Sequence, residues 1–208
     1  MRERGWLRTA IASLTICAIG GALLWRGTDG LRALTTEQAR RDAIEKHSRV
    51  LPVVALDDQD GNAFTLDTYR GRPAAVDFVY TQCVSVCTLL SAGFQRLDRA
   101  QQARNAEGEV VRLVSISFDP RDTPARLREY ASRYGADGHT WRFAKVHDSR
   151  ELTPLLRAFG IVVIPDGRGD FQHNAAIHVL DASGRLARVF DVGAESDTVL
   201  RAARSLGR

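Results

Sequence analysis

The chain has 208 residues, 44% of them hydrophobic, which is enough for one compact domain with an appendage and too little for two large domains. Of its 29 basic and 25 acidic residues, four basic and one acidic lie in residues 1–26, a net of +3, so the remainder carries only +1 of the total +4. A nearly neutral body with no basic block interleaved with aromatics argues against nucleic acid as a partner.

From the N-terminus, Thr9 to Leu24 carries no charge. That stretch as a helix spans about 24 Å, short of the roughly 30 Å hydrocarbon core, but extension from Trp6 to Trp25 reaches about 30 Å. Indoles favour the headgroup level and Arg8 can snorkel. Residues 1–26 therefore read as a signal-anchor, an N-terminal transmembrane helix. The arginines ahead of it predict a cytoplasmic N-terminus with the domain on the far side. A cleaved signal peptide competes, with small residues at Ala18, Gly20 and Ala22 but Trp25 and Arg26 against it. Cys17 raises a lipoprotein signal, opposed by the bulky Ile16 before it. In each case the domain faces an exported compartment, where disulfides persist.

Residues 27–50 read as a polar juxtamembrane spacer containing a helix from Thr36 to His47 with a Thr cap. The domain proper is expected over 51–208. Val53 to Leu56 is a short strand, Asp60-Gly61 a hairpin turn, and Ala63 to Leu66 its partner. Ala74 to Tyr80 has the length of a buried strand. A helix follows from Val86 to Ala103, with Leu89, Leu90, Phe94 and Leu97 as its apolar stripe. Val110 to Phe118 is the next buried strand. Thr123 caps a helix with Pro124 at its first position, running to Tyr134. Trp141 to Ala144 is a short strand, Glu151 to Phe159 a helix, and Ile161 to Ile164 a β-branched segment ending at Pro165. Asp166 to Asp170 is a turn. Ala176 to Leu180 and Leu186 to Phe190 form a hairpin, and Ser196 to Leu206 a closing helix. Strands separated by helices imply crossovers and a parallel sheet centre, to which the terminal hairpin adds antiparallel strands. The outline is α/β and thioredoxin-like, a central mixed sheet flanked by helices.

Cys83 and Cys87 lie where the strand ending at Tyr80 turns into the helix. Free N–H groups and the positive helix end stabilise a thiolate there. Such a pair can exchange with disulfides or hold a soft metal ion. A structural bridge across so short a loop would gain little chain entropy, and the three-residue spacing departs from the usual two-residue redox pair. Zinc is also compatible with the chemistry. Asp77 within an apolar strand is either a buried carboxylate with a raised pKa or an edge residue facing solvent. Asp119 either supports the site or caps its loop.

Three segments together resemble the Sco/SenC family of membrane-anchored copper proteins. Val76-Asp-Phe-Val-Tyr-Thr-Gln-Cys-Val-Ser-Val-Cys87 looks like that family's strand-Thr-x-Cys-x-x-x-Cys segment. Ser115-Ile-Ser-Phe-Asp-Pro-Arg-Asp-Thr-Pro124 is very close to its Asp-Pro-x-x-Asp-Thr-Pro loop, and His173-Asn-Ala-Ala-Ile-His-Val-Leu-Asp181 matches its lone His before a strand. The resemblance implies copper, Cu(I) or Cu(II), held by Cys83, Cys87 and His173, with His178 as the fallback ligand and otherwise a half-buried sheet residue. It implies a metallochaperone, not an enzyme, that delivers copper or prepares the binuclear copper site of cytochrome c oxidase from a bacterial inner membrane. The implied partners are a copper-accepting oxidase subunit and a thiol reductant. Thr88 stands where the family commonly has proline, and Gln172 where it often has aspartate. The alternative is a periplasmic thiol–disulfide oxidoreductase using Cys83 and Cys87, in which His173 is dispensable. A peroxide-handling or redox-sensing role rests on the fold alone.

Overall fold

The computed structural model describes residues 3–27, 36–83, 86–103 and 110–207. The chain divides into two compact units, Met1–Lys46 and His47–Arg208. The first holds α1 (Glu3–Gly27) and α2 (Thr36–Lys46). Glu3, Arg4, Arg8 and Arg26 all belong to α1, so its uncharged run stays at Thr9 to Leu24. Among the described residues no helix is long and apolar enough to cross a membrane. α2 is polar and held by local ion pairs: Glu37 meets Arg40 at 2.6 Å and Arg41 at 2.9 Å. The hydrogen bond from Arg40 is the main reason its carboxyl falls to about 2. Residues 28–35 of the expected spacer lie outside the described residues.

The second unit opens with a hairpin, β1 (Leu56–Asp58) and β2 (Ala63–Phe64). Its turn is the expected Asp60-Gly61, organised by Asp58, whose carboxylate accepts the N–H of Asp60 at 2.9 Å and of Asn62 at 2.8 Å. The first strand begins later than expected, at Leu56, where pairing with Phe64 and Val146 starts; Val53 is exposed. A 3₁₀ turn at Leu66–Tyr69 replaces the end of the second. Then come β3 (Ala74–Val79), α3 (Val86–Ala103), β4 (Arg112–Ser117), α4 (Pro124–Tyr134), β5 (Trp141–Val146) and α5 (Leu152–Phe159). The chain continues as β6 (Val163–Pro165), β7 (Phe171–His173), β8 (Ile177–Leu180), β9 (Leu186–Phe190) and α6 (Ser196–Leu206). α4 starts and stops by the expected chemistry. Thr123 accepts the Arg126 N–H at 3.3 Å, Pro124 follows, and Gly135 closes the helix at φ 75°, a conformation that favours glycine.

Seven strands form one sheet in the order β2-β1-β5-β4-β3-β8-β9. β3, β4 and β5 are parallel, while β1 is antiparallel to β5 on one side and, on the other, β8 is antiparallel to β3 and β9 to β8. This is the mixed, thioredoxin-like arrangement. β6 and β7 pair only with each other, as a separate two-stranded sheet. The sequence pattern joins neither segment into a hairpin.

All six residues of β3 are buried, as a central strand covered on both faces requires. α3 packs Cys87, Leu90, Ser91, Phe94, Leu97 and Asp98 inward at helical spacing. Phe94 meets Trp141, whose indole N–H donates to the Ser115 hydroxyl at 3.0 Å. Gln101 acts as a ladder residue at the start of β4: its amide accepts from the Val111 N–H at 3.1 Å and donates to the Val111 carbonyl at 3.2 Å. Leu89, expected in the stripe, is 60% exposed. It stands two positions past Cys87 and one before Leu90, off the buried arc. Leu90→Ala is therefore expected to cost about 2–5 kcal/mol in urea unfolding, and Leu89→Ala less than about 0.5 kcal/mol. Equal losses would place both in the core.

Candidate metal centre

The parallel strands β3 and β4 carry their following loops to the same edge of the sheet, where such folds collect their functional groups. A carboxylate joins the two loops. Asp122 is fully buried and accepts the Thr81 N–H at 3.0 Å, the Thr81 hydroxyl, and the Ser117 hydroxyl at 2.6 Å. Thr81 is two residues before Cys83, so Asp122 fixes the strand exit that leads to the first cysteine. Asp119, not Asp122, is the residue that the sequence singles out in this loop; the signal for Asp122 is its place as the second aspartate of the Asp-Pro-x-x-Asp-Thr-Pro pattern.

Asp119 is buried too and is held by Arg121 through bonds of 2.7 to 3.0 Å to both carboxylate oxygens. Burial works to raise its pKa, but the hydrogen bonds and charge of Arg121 outweigh that and hold it below the usual carboxylate range. It is a partner of Arg121 within the loop.

Cys83 and Cys87 are both free thiols. Val84 and Ser85 between them lie outside the described residues. Cys87 is in the first turn of α3, and its backbone N–H donates to the Cys83 sulfur at 3.3 Å. The stabilising amide of the helix start thus serves Cys83. Cys87 has the opposite fate: its hydrogen bond with Cys83, its burial, and the charges of Cys83 and Asp77 push its pKa well above the ordinary thiol range. The expected stabilisation of a thiolate at the helix start is thus seen at Cys83, while the surroundings of Cys87 favour its neutral form.

His173 arrives from β7, 86 residues away, with Nε2 at 3.4 Å from the Cys87 sulfur. Its Nδ1 faces the carbonyl of Asn174 at 3.1 Å. A carbonyl only accepts, so Nδ1 carries the proton and Nε2 presents its lone pair toward the sulfur. The ring packs edge-on against Phe118, with centroids 4.8 Å apart, and against Tyr80 at 6.3 Å. Cys87 thus touches both other predicted ligands. Among the described residues no three His, Cys, Asp or Glu side chains already share the mutual spacing of a filled metal site. A backbone carbonyl orients this imidazole, a role that Asn174 gave no sequence signal for. Gln172 is exposed and on the other side of the strand, so a side chain at that position faces away from the ring.

His178 does not join them. It is fully buried, not half-buried, with its ring edge-on against those of Phe78 and Phe159, which also touch each other, and Nδ1 at 3.3 Å from the Val76 carbonyl. His147 pairs at 2.9 Å with Asp57 near the other edge of β5.

The family model described as SCO1/SenC matches residues 43–207. The chain belongs to the SCO1/SenC family. A SCO1 protein homolog of Bacillus subtilis is 26% identical over 137 residues, covering 64% of this chain and 69% of that protein. The solved structure of Bradyrhizobium japonicum ScoI with copper bound is 25% identical, covers 76% of this chain and 99% of its own, and superposes with a TM-score of 0.63. BsSco, a member of the Sco family of cytochrome c oxidase assembly proteins in which a disulfide switch was identified, shares the fold at 21% identity. It covers 77% of this chain and 95% of its own, with a TM-score of 0.67.

Beneath the site of this SCO1/SenC chain lies Asp77, completely buried in β3, and neither carboxylate oxygen makes a hydrogen bond. Of the two sequence alternatives, burial is the outcome. Desolvation raises its pKa to about 7, against a weaker opposing pull from Ser115 across the ladder. Between the unfolded value near 4 and the folded value, the native state holds a proton that the unfolded chain has lost. Its contribution is therefore present at low pH and is lost as pH rises toward about 7. Asp77→Asn is expected to remove this slope, gaining up to about 4 kcal/mol over the parent at pH 8 relative to pH 4 in urea unfolding. A constant difference across that range would mean that Asp77 is ionised throughout.

Proposed function

We propose that the chain binds copper through Cys83, Cys87 and His173 and delivers it to, or prepares the copper site of, cytochrome c oxidase. The observation that carries this reading is the 3.4 Å approach of the His173 Nε2 lone pair to the Cys87 sulfur across 86 residues of sequence. The donor set fits the ion. Two sulfurs suit Cu(I), an imidazole suits both copper oxidation states, and three protein donors leave a position for an acceptor's ligand. Family membership and a copper-bound relative at 25% identity support the same choice. Copper is cargo in this reading, and its capture displaces the proton that Cys87 keeps in the metal-free pair. The expected partners are a copper-accepting oxidase subunit and a thiol reductant that keeps the pair open. In the same reading residues 1–26 tether the protein to a bacterial inner membrane, the N-terminus in the cytoplasm and residues 51–208 in the periplasm.

A thiol–disulfide oxidoreductase is the second reading. It is favoured by Cys83, whose sulfur takes the amide of the helix start while its partner Cys87 is wholly buried. In that exchange the two thiols yield two protons and two electrons to a partner disulfide, which becomes a dithiol. His173 would have no part in it.

The reduced full-length protein is expected to take up one copper per chain, titrated against a chromophoric Cu(I) chelator. Cys83→Ala and Cys87→Ala should abolish tight uptake, and His173→Ala should weaken it by about tenfold or more. Added Cu(II) should give a thiolate-to-copper absorption band in the parent. Tight binding unchanged in all three variants would overturn the reading. Disulfide reductase turnover that survives His173→Ala, without copper uptake, would favour the second.

A further inference from the structure

The hairpin that carries His173 forms no ladder with the main sheet: β6 and β7 bond only to each other, Val163 opposite His173 and Pro165 opposite Phe171. The cysteines stand on the β3–α3 junction of the main sheet. Strand pairing therefore does not set the distance between imidazole and sulfur; the short links to α5 and β8, the Asn174 bonds to Val162 and Gly160 at the hairpin's base, and side-chain contacts between its turn and the body do so. We propose that Arg121 is the positioning residue for His173, a clasp that holds the β6–β7 hairpin so that the imidazole meets Cys87. The proposal rests on the copper-binding reading.

Arg121 is built for this at both ends. On the body side, Asp119 is buried and takes three bonds from the guanidinium and one, at 2.9 Å, from the Arg121 backbone N–H. That arrangement fixes the plane of the fork. On the hairpin side, the same Nη2 donates to the carbonyl of Gly169, and the guanidinium lies 5.5 Å from the Phe171 ring centroid. Phe171 packs against both Tyr80 and Phe118, at 5.2 and 5.6 Å, and the Tyr80 hydroxyl donates to Asp170. Phe118 is also the ring on which His173 rests.

The turn is shaped to receive the guanidinium. Gly169 has φ 97°, and a Cβ there would lie 3.0 Å from Arg121 Nη1. Both the backbone conformation and the close approach call for glycine. A lysine would keep the charge but could not grip Asp119 with a planar fork while reaching the Gly169 carbonyl. The plain alternative is that Arg121 only neutralises a buried carboxylate. In that case its loss would lower stability and leave the hairpin where it is.

The test uses the full-length protein with Arg121→Met, Arg121→Lys, Gly169→Ala and His173→Ala, and the Arg121→Met/His173→Ala pair. In the metal-free protein, amide hydrogen exchange over residues 163–173 should quicken in Arg121→Met and in Gly169→Ala, while amides of β3 and β4 keep their protection. Cu(I) affinity should fall about tenfold in Arg121→Met, with little recovery in Arg121→Lys. On the His173→Ala background Arg121→Met should cost nothing further, because a clasp acts only through the residue it places. Unchanged exchange in the hairpin overturns the proposal, as does an equal loss of affinity with and without His173. Normal affinity in His173→Ala alone overturns the copper-ligand reading and the clasp's purpose with it. The exchange measurement still reports separately whether the hairpin is held.

Discussion

Because β3 and β4 run parallel and in register from Ala74 opposite Arg112 to Val79 opposite Ser117, both leave the sheet at one edge. The Phe118 N–H donates to the Val79 carbonyl at 3.1 Å and extends the pairing one step beyond the strands. Everything chemical in the domain follows from that edge. One exit leads to Cys83 and the start of α3; the other leads to the acidic loop before α4. Two polar loops emerging side by side need their backbone groups satisfied, and Asp122 meets the need with bonds to Thr81 and Ser117. Changing that carboxylate would loosen the cysteine loop without touching a cysteine.

The interior beneath this edge stores protons. Cys87 and Asp77 are both completely buried, and both are pushed toward their neutral forms. Lack of water disfavours both anions, and the Asp77 charge adds to the effect on Cys87. Burial of this kind keeps uncompensated charge out of the interior beneath the sulfurs. The imidazole beside it is prepared differently: a local carbonyl bond aims Nε2 at the sulfur and adds no charge to the cluster.

Much of this was written in local sequence. The Thr123 and Pro124 start of α4 is set by capping, the β8–β9 hairpin by its turn residues, and α3 and α6 by apolar spacing, all short-range signals. What was missed depends on tertiary contact. Leu89 and Leu90 are the same residue type one position apart, and only the packed sheet decides which one is inside. β6 and β7 are three residues each, too short for an alternation to register, and their pairing is defined only once Phe171 has a pocket. His178 reads as one-sided because its neighbours are apolar. The helix and strand that cover its own side come from elsewhere in the chain. Among the site residues, Cys83, Cys87 and His173 were legible through motif context. Asp122 stands at a fixed place in the Asp-Pro-x-x-Asp-Thr-Pro loop, but its bonds to Thr81 and Ser117 form only in the fold, and Arg121 and Asn174 carry no chemical signature of their own.

The independence of the two-stranded sheet has an engineering consequence. An insertion or deletion between Asp166 and Asp170 shifts no register in the seven-stranded sheet, because no ladder bond joins the two. The limit on loop length there is local: the Gly169 carbonyl must still reach Arg121 and Asp170 must still reach Tyr80. The scaffold with its sulfur pair and the arm with its nitrogen are separable modules. Grafting an arm that ends in a thioether or a third thiol would retune selectivity among soft ions while the host domain stays as it is.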